Sequence, residues 1–227
     1  LDMAMAQRAR GESTRQRLLD EAERQFAETG FRGTSLNAIA AAAGLGNAGV
    51  LHHFPSKEKL YKAVLQRLSA VLEADLQAII ATHATAAARL RAAARQQATL
   101  LLREPRRSRL VLRELLDNLG RVERAKSLPL TQYVQSFCAL IAAAQHDGAA
   151  ARGAPILLLT QFLGSLSYAL VAQPTFARMI SDSSLLASER TWITAVADLA
   201  EATLLPPAGA AKQTAASVEP LRLSSLS

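Results

Sequence analysis

The chain contains very little cysteine and few aromatic residues. Cys138 is the single cysteine among 227 residues, which excludes an internal disulfide framework and suits a reducing cytoplasm. It lies in the apolar run FCALIAAA, where a buried small hydrophobic residue is favoured over a reactive thiol. Aromatic residues make up 4% of the chain and hydrophobic residues 50%, so the core must consist largely of alanine and leucine.

Long apolar runs and strand patterns are also missing. No uninterrupted apolar run approaches the roughly 18 residues expected of a membrane span, and no apolar signal segment opens the sequence. No stretch alternates convincingly between apolar and polar residues, and no internal repeat is evident. We therefore predict an all-α protein with one or two domains, located in the cytoplasm and not associated with a membrane.

Motifs for catalysis are absent as well. The sequence has no G-x-S-x-G motif, no histidine suitably placed beside Cys138, and no set of residues with metal-ligand spacing. Gly44, Gly46 and Gly49 spell the dinucleotide fingerprint G-x-G-x-x-G. However, the preceding NAIAAAA is poor strand material, and Pro55 ends the next helix after two turns. The sequence thus predicts no enzyme, cofactor or metal, and a nucleotide-dependent enzyme is a minor alternative.

The net charge of +7 does not by itself locate a nucleic-acid site. Residues 1–60 carry eight Lys/Arg and seven Asp/Glu, a surplus of one, whereas residues 89–126 carry eleven against four, a surplus of seven. We interpret the arginine-rich segment 103–113 (REPRRSRLVLR) as a solvated helix face. Binding of an acidic ligand, a partner or phosphate is the alternative for that segment.

Residues 34–60, TSLNAIAAAAGLGNAGVLHHFPSKEKL, predict two short helices joined by a tight turn. Thr34 and Ser35 are both suitable N-caps for the first helix. Gly44 stands where that helix ends and can adopt the left-handed conformation that turns the chain. Pro55 ends the second helix. This layout is that of a helix-turn-helix, whose second helix enters the DNA major groove.

The second short helix is predicted to have an inner and an outer face. Val50 and Phe54 recur at helical spacing and are expected to pack inward. The outer face then consists of small or polar residues that allow close approach to base edges: Gly46, Asn47, Ala48, Gly49 and His52.

This segment resembles the DNA-binding domain of the TetR family of bacterial transcriptional regulators. The resemblance begins in LLDEAERQFAETGFRGTSL, ends with HHFPSKEKL, and extends from Ser13 to about Leu65. We expect four regions in the chain: a disordered basic arm (1–11), a three-helix helix-turn-helix domain (12–56), a helical effector-binding and dimerisation domain (57–205), and a disordered tail (206–227). The family commonly has a phosphate-anchoring tyrosine at position 51, where this chain has Leu51.

Several residues in and around the motif are predicted to contact double-stranded DNA. Asn47 suits a bidentate contact to adenine, with a simple N-cap as the alternative. His52 and His53 are expected to donate to phosphate oxygens, with simple surface residues at a helix end as the alternative. Lys57 is expected to clamp a phosphate at a helix N-terminus. The complete predicted set is Arg15, Thr34, Ser35, Gly46, Asn47, Ala48, Gly49, Leu51, His52, His53 and Lys57.

The remaining sequence predicts further helices, at 57–80, 86–103, 106–119, 128–145 and 155–171, and a last one capped by Ser188. The resemblance implies that the final two helices pair with their copies in a homodimer. The candidate interface residues are Leu159, Leu163, Gly164, Leu166, Trp192, Val196 and Leu199, with burial inside the protomer as the alternative for each. Candidate effector-binding residues are Tyr133, Phe137, Gln161, Phe162 and Tyr168, with core packing as their alternative.

Together the resemblance implies a homodimeric transcriptional regulator. Such a protein is most often a repressor that an unknown small molecule releases from a pseudo-palindromic operator. A constitutive architectural DNA-binding protein is the second interpretation; it would bind with a steep salt dependence and little sequence preference.

Overall fold

A computed structural model describes residues 2–117, 128–180 and 184–206 of the chain. Within these ranges the protein consists of nine α-helices and contains no β-strand, which confirms the prediction of an all-α fold. In chain order the helices are α1 (Asp2–Gly33), α2 (Leu36–Ala42), α3 (Asn47–His53), α4 (Lys57–Thr82), α5 (Ala86–Arg103), α6 (Pro105–Asp117), α7 (Thr131–His146), α8 (Pro155–Met179) and α9 (Glu189–Leu204).

Four of these helices begin at a hydroxyl cap. Ser35, Ser56, Thr85 and Ser188 each accept a hydrogen bond from the backbone N–H three residues further along the chain. Each cap satisfies one of the N–H groups that a helix start leaves unpaired, and is worth about 1 kcal/mol. The predicted starts of α2, α4, α5 and α9 follow from these local contacts.

The N-terminus differs from the prediction. We expected residues 1–11 to be disordered, but α1 already begins at Asp2. The segment is rich in alanine, methionine, glutamine and arginine, which all favour helix, so α1 extends toward the N-terminus. Near its other end, Gly30 adopts φ 75° and ψ 176°, a left-handed conformation that breaks the helix where the sequence predicted its end.

Two later helices also differ from their predicted bounds. α7 begins at Thr131 rather than 128, because residues 129–130 form a turn. α8 was expected to end at 171 but continues through Pro174 to Met179. Pro174 cannot donate to the carbonyl of Leu170, yet packing of the last turns against α9 maintains the helix. The predicted tail lies outside the described residues from position 207 onward.

A ring cluster connects the N-terminal helices to α4. Phe26 and Tyr61 meet edge to face with ring centroids 4.8 Å apart, and Phe31 lies 5.1 Å from Tyr61. Further along α4, Leu68, Leu72 and Leu76 are buried among the helices that follow. α4 therefore packs both against the N-terminal helices and against the helices that follow it. A rotation of α4 would change the packing on both sides.

The remaining helices enclose a second apolar region. Phe137 of α7 and Phe162 of α8 are fully buried with ring centroids 6.0 Å apart. α9 packs along α8 and is held to α5 by Glu201, which accepts hydrogen bonds from Arg91 and Arg95, each at 3.0 Å. Cys138 is half-buried on α7, and burial raises the pKa of its thiol, so it behaves as the predicted packing residue.

Candidate functional site

The turn between α2 and α3 has a well-defined hydrogen-bond pattern. Gly44 has φ +71°, and its N–H donates to the carbonyl of Ala41 at 3.1 Å. The N–H of Leu45 donates to Ala40 at 2.9 Å. This pair of bonds is the Schellman arrangement, which satisfies the last carbonyls of α2 and requires a left-handed residue at position 44. The glycine-centred corner predicted from the sequence is therefore present.

The corner directs α3 so that one side packs inward and the other faces solvent. Val50 is completely buried and Phe54, which follows the helix, is 4% exposed. Gly49 and His53 are half-buried. The outer side is formed by exposed residues at the predicted positions, Gly46, Asn47, Ala48 and His52, together with Leu51. These residues form a continuous face open to a partner.

The start of α3 removes one alternative for Asn47. The N-cap is Gly46, which has extended backbone and provides no side-chain cap. Asn47 is the first helical residue and is exposed. Its amide is therefore free of the N-cap role that the sequence left open.

Two residues predicted to contact DNA, Thr34 and Lys57, take part in contacts between the end of α1 and the start of α4. Thr34 is only 4% exposed, and its hydroxyl donates to the carbonyl of Gly30 at 2.8 Å. The ammonium of Lys57 donates to the carbonyl of Thr34 at 2.9 Å and lies 4.6 Å from the centre of the Phe31 ring. These contacts give Thr34 and Lys57 a packing role, because they fix the start of α4 against the end of α1. Thr34 is too deeply buried to reach DNA, whereas the DNA contact of the half-buried Lys57 stays a prediction.

Arg15 lies beside the end of α3, and Ser35 lies at the start of α2. The Arg15 guanidinium is 5.4 Å from the centre of the Phe54 ring, and the side chain is partly exposed. The exposed Ser35 caps α2 by accepting from Ala38 N at 3.1 Å.

The glycine motif 44–49 lies in a helix corner that no strand precedes within the described residues.

The arginine-rich segment 103–113 forms much of α6 and packs on α1 rather than standing free. Arg107 donates to Glu23 Oε1 at 3.1 Å. Arg113 donates to the carbonyls of Ala27 and Glu28, at 3.0 and 2.9 Å, near the end of α1. This use of the arginines was missed by sequence reasoning, because both partners lie more than eighty residues away in the chain.

Further polar contacts connect α1, α4 and α6. Arg67 of α4 donates to Glu23 Oε2 at 2.6 Å, so Glu23 holds arginines from both α4 and α6. The Tyr61 hydroxyl donates to Glu114 of α6 at 2.7 Å. We name these contacts, with those of Arg113, the α1–α4–α6 joint. It connects the helix-turn-helix region to the rest of the molecule.

A small, solvent-open cleft lies between α4, α5 and α7. Two predicted effector residues line it. Phe137 forms part of its apolar floor, and the Tyr133 hydroxyl donates to Gln97 Oε1 at 2.7 Å. The full lining is Leu72, Asp75, Leu76, Ile79, Ala93, Gln96, Gln97, Leu100, Tyr133 and Phe137.

The cleft is acidic. Burial, together with the carboxylates of Glu73 and Asp75, raises the pKa of Tyr133, so the phenol stays neutral. Glu73 Oε1 accepts from Ser136 at 2.9 Å, but Glu73 Oε2 is buried and has no hydrogen-bond partner among the described residues. The lining residues include no lysine or arginine in the part of the chain that the structure describes.

The other three predicted effector residues do not line this cleft. Phe162 is 1% exposed and packs in the core. Gln161 and Tyr168 lie on the opposite, solvent-facing side of α8, where Tyr168 is 62% exposed. α8 is apolar on several sides, so sequence periodicity did not distinguish its inner face from its outer face.

The residues predicted to form the dimer interface are likewise partly buried in the protomer and partly exposed. Leu159 and Leu166 are buried inside the protomer, which corrects their assignment. Leu163, Val196 and Trp192 are half-buried, and Trp192 Nε1 donates to the carbonyl of Ala169 at 2.9 Å. Gly164 and Leu199 are exposed. The exposed apolar flank of α8 and α9, which we name the α8–α9 flank, contains Leu157, Gly164, Tyr168, Val171 and Leu199.

α8 is also long and apolar enough to cross a membrane by length and composition alone. A third of its apolar stretch is buried in the protein. A core helix of a soluble protein passes the same test, because its apolar residues face neighbouring helices. No group of three or more metal-ligating side chains occurs among the residues described.

The segment that contains α3 is similar in sequence to known bacterial regulatory proteins. The model of the family described as "Bacterial regulatory proteins, tetR family" matches residues 18–64. Over 61 residues the chain is 43% identical to the HTH-type transcriptional regulator RutR of Escherichia coli (strain K12), a match that covers 27% of this chain and 29% of RutR. The matched segment therefore spans less than a third of that relative's length.

Solved structures are similar over most of the chain. The Streptomyces coelicolor protein SCO4942 superposes with a TM-score of 0.65 at 23% identity, over 84% of this chain and 98% of that one. AibR, solved in complex with isovaleryl coenzyme A and operator DNA, superposes with a TM-score of 0.56 at 20% identity, over 86% of this chain and 99% of that one. At these identities the similarity shows a common fold.

Proposed function

We propose that the chain, whose segment 18–64 matches the model of the tetR family of bacterial regulatory proteins, is a transcriptional regulator that binds double-stranded DNA through α3. The observation that carries the proposal is the arrangement behind Gly44. A short helix packs inward through Val50 and Phe54 and presents Asn47 and its exposed neighbours outward. An outward helix of this kind fits the major groove.

We propose that the active form is a homodimer. A single α3 contacts only a few base pairs, whereas two copies about 34 Å apart would read two half-sites of a pseudo-palindrome. The α8–α9 flank is the surface available for pairing, since it exposes large apolar side chains such as Tyr168, Val171 and Leu199. Covering such a patch in a second copy removes apolar area from water.

A small molecule bound in the cleft would relieve repression. Widening the cleft would displace α4, and the α1–α4–α6 joint would transmit this displacement to the helix-turn-helix. A coupling free energy of about 1–3 kcal/mol would change operator affinity roughly 5- to 150-fold. Repression relieved by a ligand is the behaviour most consistent with this architecture, in which the cleft and α3 share α4.

The lining of the cleft favours a neutral or cationic effector that donates hydrogen bonds. Asp75 supplies a carboxylate to the lining, and Tyr133 and Gln97 add polar groups, while the described lining residues offer no cation. The carboxylate of Glu73, which does not line the cleft, adds negative charge near Tyr133. AibR was solved with a coenzyme A ester, which carries several phosphate charges. We expect such an anion to be repelled here, because like charges in a partly buried site destabilise binding.

Thermal shift measurements with matched panels of alkyl amines and alkyl carboxylic acids test this effector class. We expect amines to raise the melting temperature and acids to leave it unchanged, and the Asp75→Asn variant to lose most of the amine response. Stabilisation by the acids, or an unchanged amine response in Asp75→Asn, would contradict the assignment.

The proposed function itself is tested by selecting bound sequences from random double-stranded DNA with the full chain. We expect an enriched pseudo-palindrome and a dimer bound to it. An architectural DNA-binding protein would instead bind all sequences alike, with affinity falling steeply as salt rises. That outcome, or no binding, would refute the proposal.

A further inference from the structure

The outer side of α3 contains an apolar patch at the centre of the proposed DNA contact. Leu51 is 44% exposed on this side of the helix. Ala48 precedes it by three residues and is also exposed, so the two side chains lie next to each other on the helix surface. Asn47 is four residues before Leu51 and borders the same patch.

Only one group in the major groove matches an apolar side chain. Thymine presents its C5-methyl group there, whereas guanine, cytosine and adenine present hydrogen-bond donors or acceptors that Leu51 would leave unpaired. A phosphate contact is equally unsuited to Leu51, since a leucine side chain offers no donor. Among the groups that α3 would meet, the thymine methyl is therefore the one that Leu51 and Ala48 complement.

The polar residues of α3 also favour an A·T base pair. α3 reads NAGVLHH and contains no arginine, lysine or glutamine, so it lacks the fork-shaped donor that pairs with guanine O6 and N7. Asn47 carries an amide whose donor and acceptor match adenine N6 and N7. The amide is exposed and is not used as an N-cap.

We infer that α3 reads an A·T-rich core in each half-site, with Leu51 and Ala48 against thymine C5-methyl groups and Asn47 on adenine. The inference rests on the proposed function and adds the class of base pair that the site recognises. It also gives Leu51 a role: the position provides methyl readout where the family commonly has a phosphate-anchoring tyrosine.

Deoxyuridine substitution tests this inference directly, because deoxyuridine keeps the pairing edge of thymine and lacks only the methyl group. With the full chain and its selected operator, each thymidine is replaced in turn and the Kd is measured by fluorescence anisotropy. At one or two positions in each half-site we expect binding to weaken about fourfold for each methyl removed.

Protein variants assign the effect to Leu51. Leu51→Ala should weaken binding to the thymidine operator and should no longer distinguish thymidine from deoxyuridine at the same position. Leu51 is exposed, so the variant should unfold at the wild-type temperature. Leu116→Ala is the matched control: this leucine of α6 is 70% exposed and lies outside α3, and the variant should keep the full methyl dependence.

The outcomes are distinguishable. Equal affinity for thymidine and deoxyuridine at every position, a G·C-rich selected core, or undiminished methyl dependence in Leu51→Ala would each overturn the inference, while sequence-specific binding would still support the regulator. Absence of any specific binding by the wild-type chain would overturn the proposed function, and the inference with it.

Discussion

Single residues set the direction of α3, and Gly44 has the largest part in this. Its positive φ allows two hydrogen bonds to close the end of α2 and turns the chain toward α3. This local chemistry was readable from the sequence, as was the inward packing of Val50 and Phe54. The hydrogen bond from Lys57 to the carbonyl of Thr34 was not, because it forms only when residues 23 positions apart come together.

Substitution of Gly44 is expected to destabilise the protein for a purely conformational reason. A Cβ at this position would meet nothing within 4 Å, but φ +71° is disfavoured for any L-residue with a side chain. Gly44→Ala should therefore lower the free energy of unfolding by about 1–2 kcal/mol in urea titrations. Gly49→Ala is the control, because it is expected to raise the free energy of unfolding.

Gly49 lies inside α3, where an added Cβ would make an ordinary contact 3.7 Å from Leu45 Cβ. Alanine should therefore stabilise the helix by about 0.5–1 kcal/mol. Equal effects of the two substitutions would show that the conformation at position 44 does not limit stability.

At the scale of elements, N-caps and composition determine most helix bounds, so these bounds could be predicted from the sequence. α5 was predicted at 86–103 and is found there, and α9 begins after its predicted serine cap. The packing partner of α6 was not predictable. A basic helix can be solvated, can bind a ligand or can dock on another helix, and the α1–α4–α6 joint depends on contacts distant in sequence.

Removal of the Arg113 side chain is expected to weaken the docking of α6 on α1. Arg113→Ala loses two hydrogen bonds from a charged donor to the carbonyls of Ala27 and Glu28, and should lower the free energy of unfolding by about 1–2 kcal/mol. The exposed Arg109 provides the control, since Arg109→Ala should change stability by less than about 0.5 kcal/mol. Chemical denaturation of both variants checks this, and equal losses would contradict it.

At the scale of the whole molecule, the sequence predicted the class of fold but did not separate the two sides of α8. α8 is apolar around most of its circumference, so Leu159 and Leu166 were assigned to the interface although both are buried. Tyr168 was likewise assigned to the effector site although it is exposed and does not line the cleft. Only the position of α8 against α7 and α9 distinguishes its two sides.

A charge on the α8–α9 flank is expected to abolish pairing. Leu199 is 70% exposed, so Leu199→Asp should leave the protomer folded but place an unpaired carboxylate in the proposed interface. Sedimentation should then report a single protomer, and operator affinity should fall because only one half-site is contacted at a time. Leu116→Asp carries the same change at an equally exposed leucine of α6 and should remain paired. A paired Leu199→Asp protein would locate the interface elsewhere.

The uncovered side of α8 has a further consequence for how the protein is made. In the proposed homodimer, a newly synthesised protomer would keep Leu157, Tyr168 and Val171 in contact with water until a second copy arrives. During this interval the helix can adhere to any other unshielded surface, including that of another nascent chain. Slow production at low temperature should therefore raise the yield of correctly assembled protein.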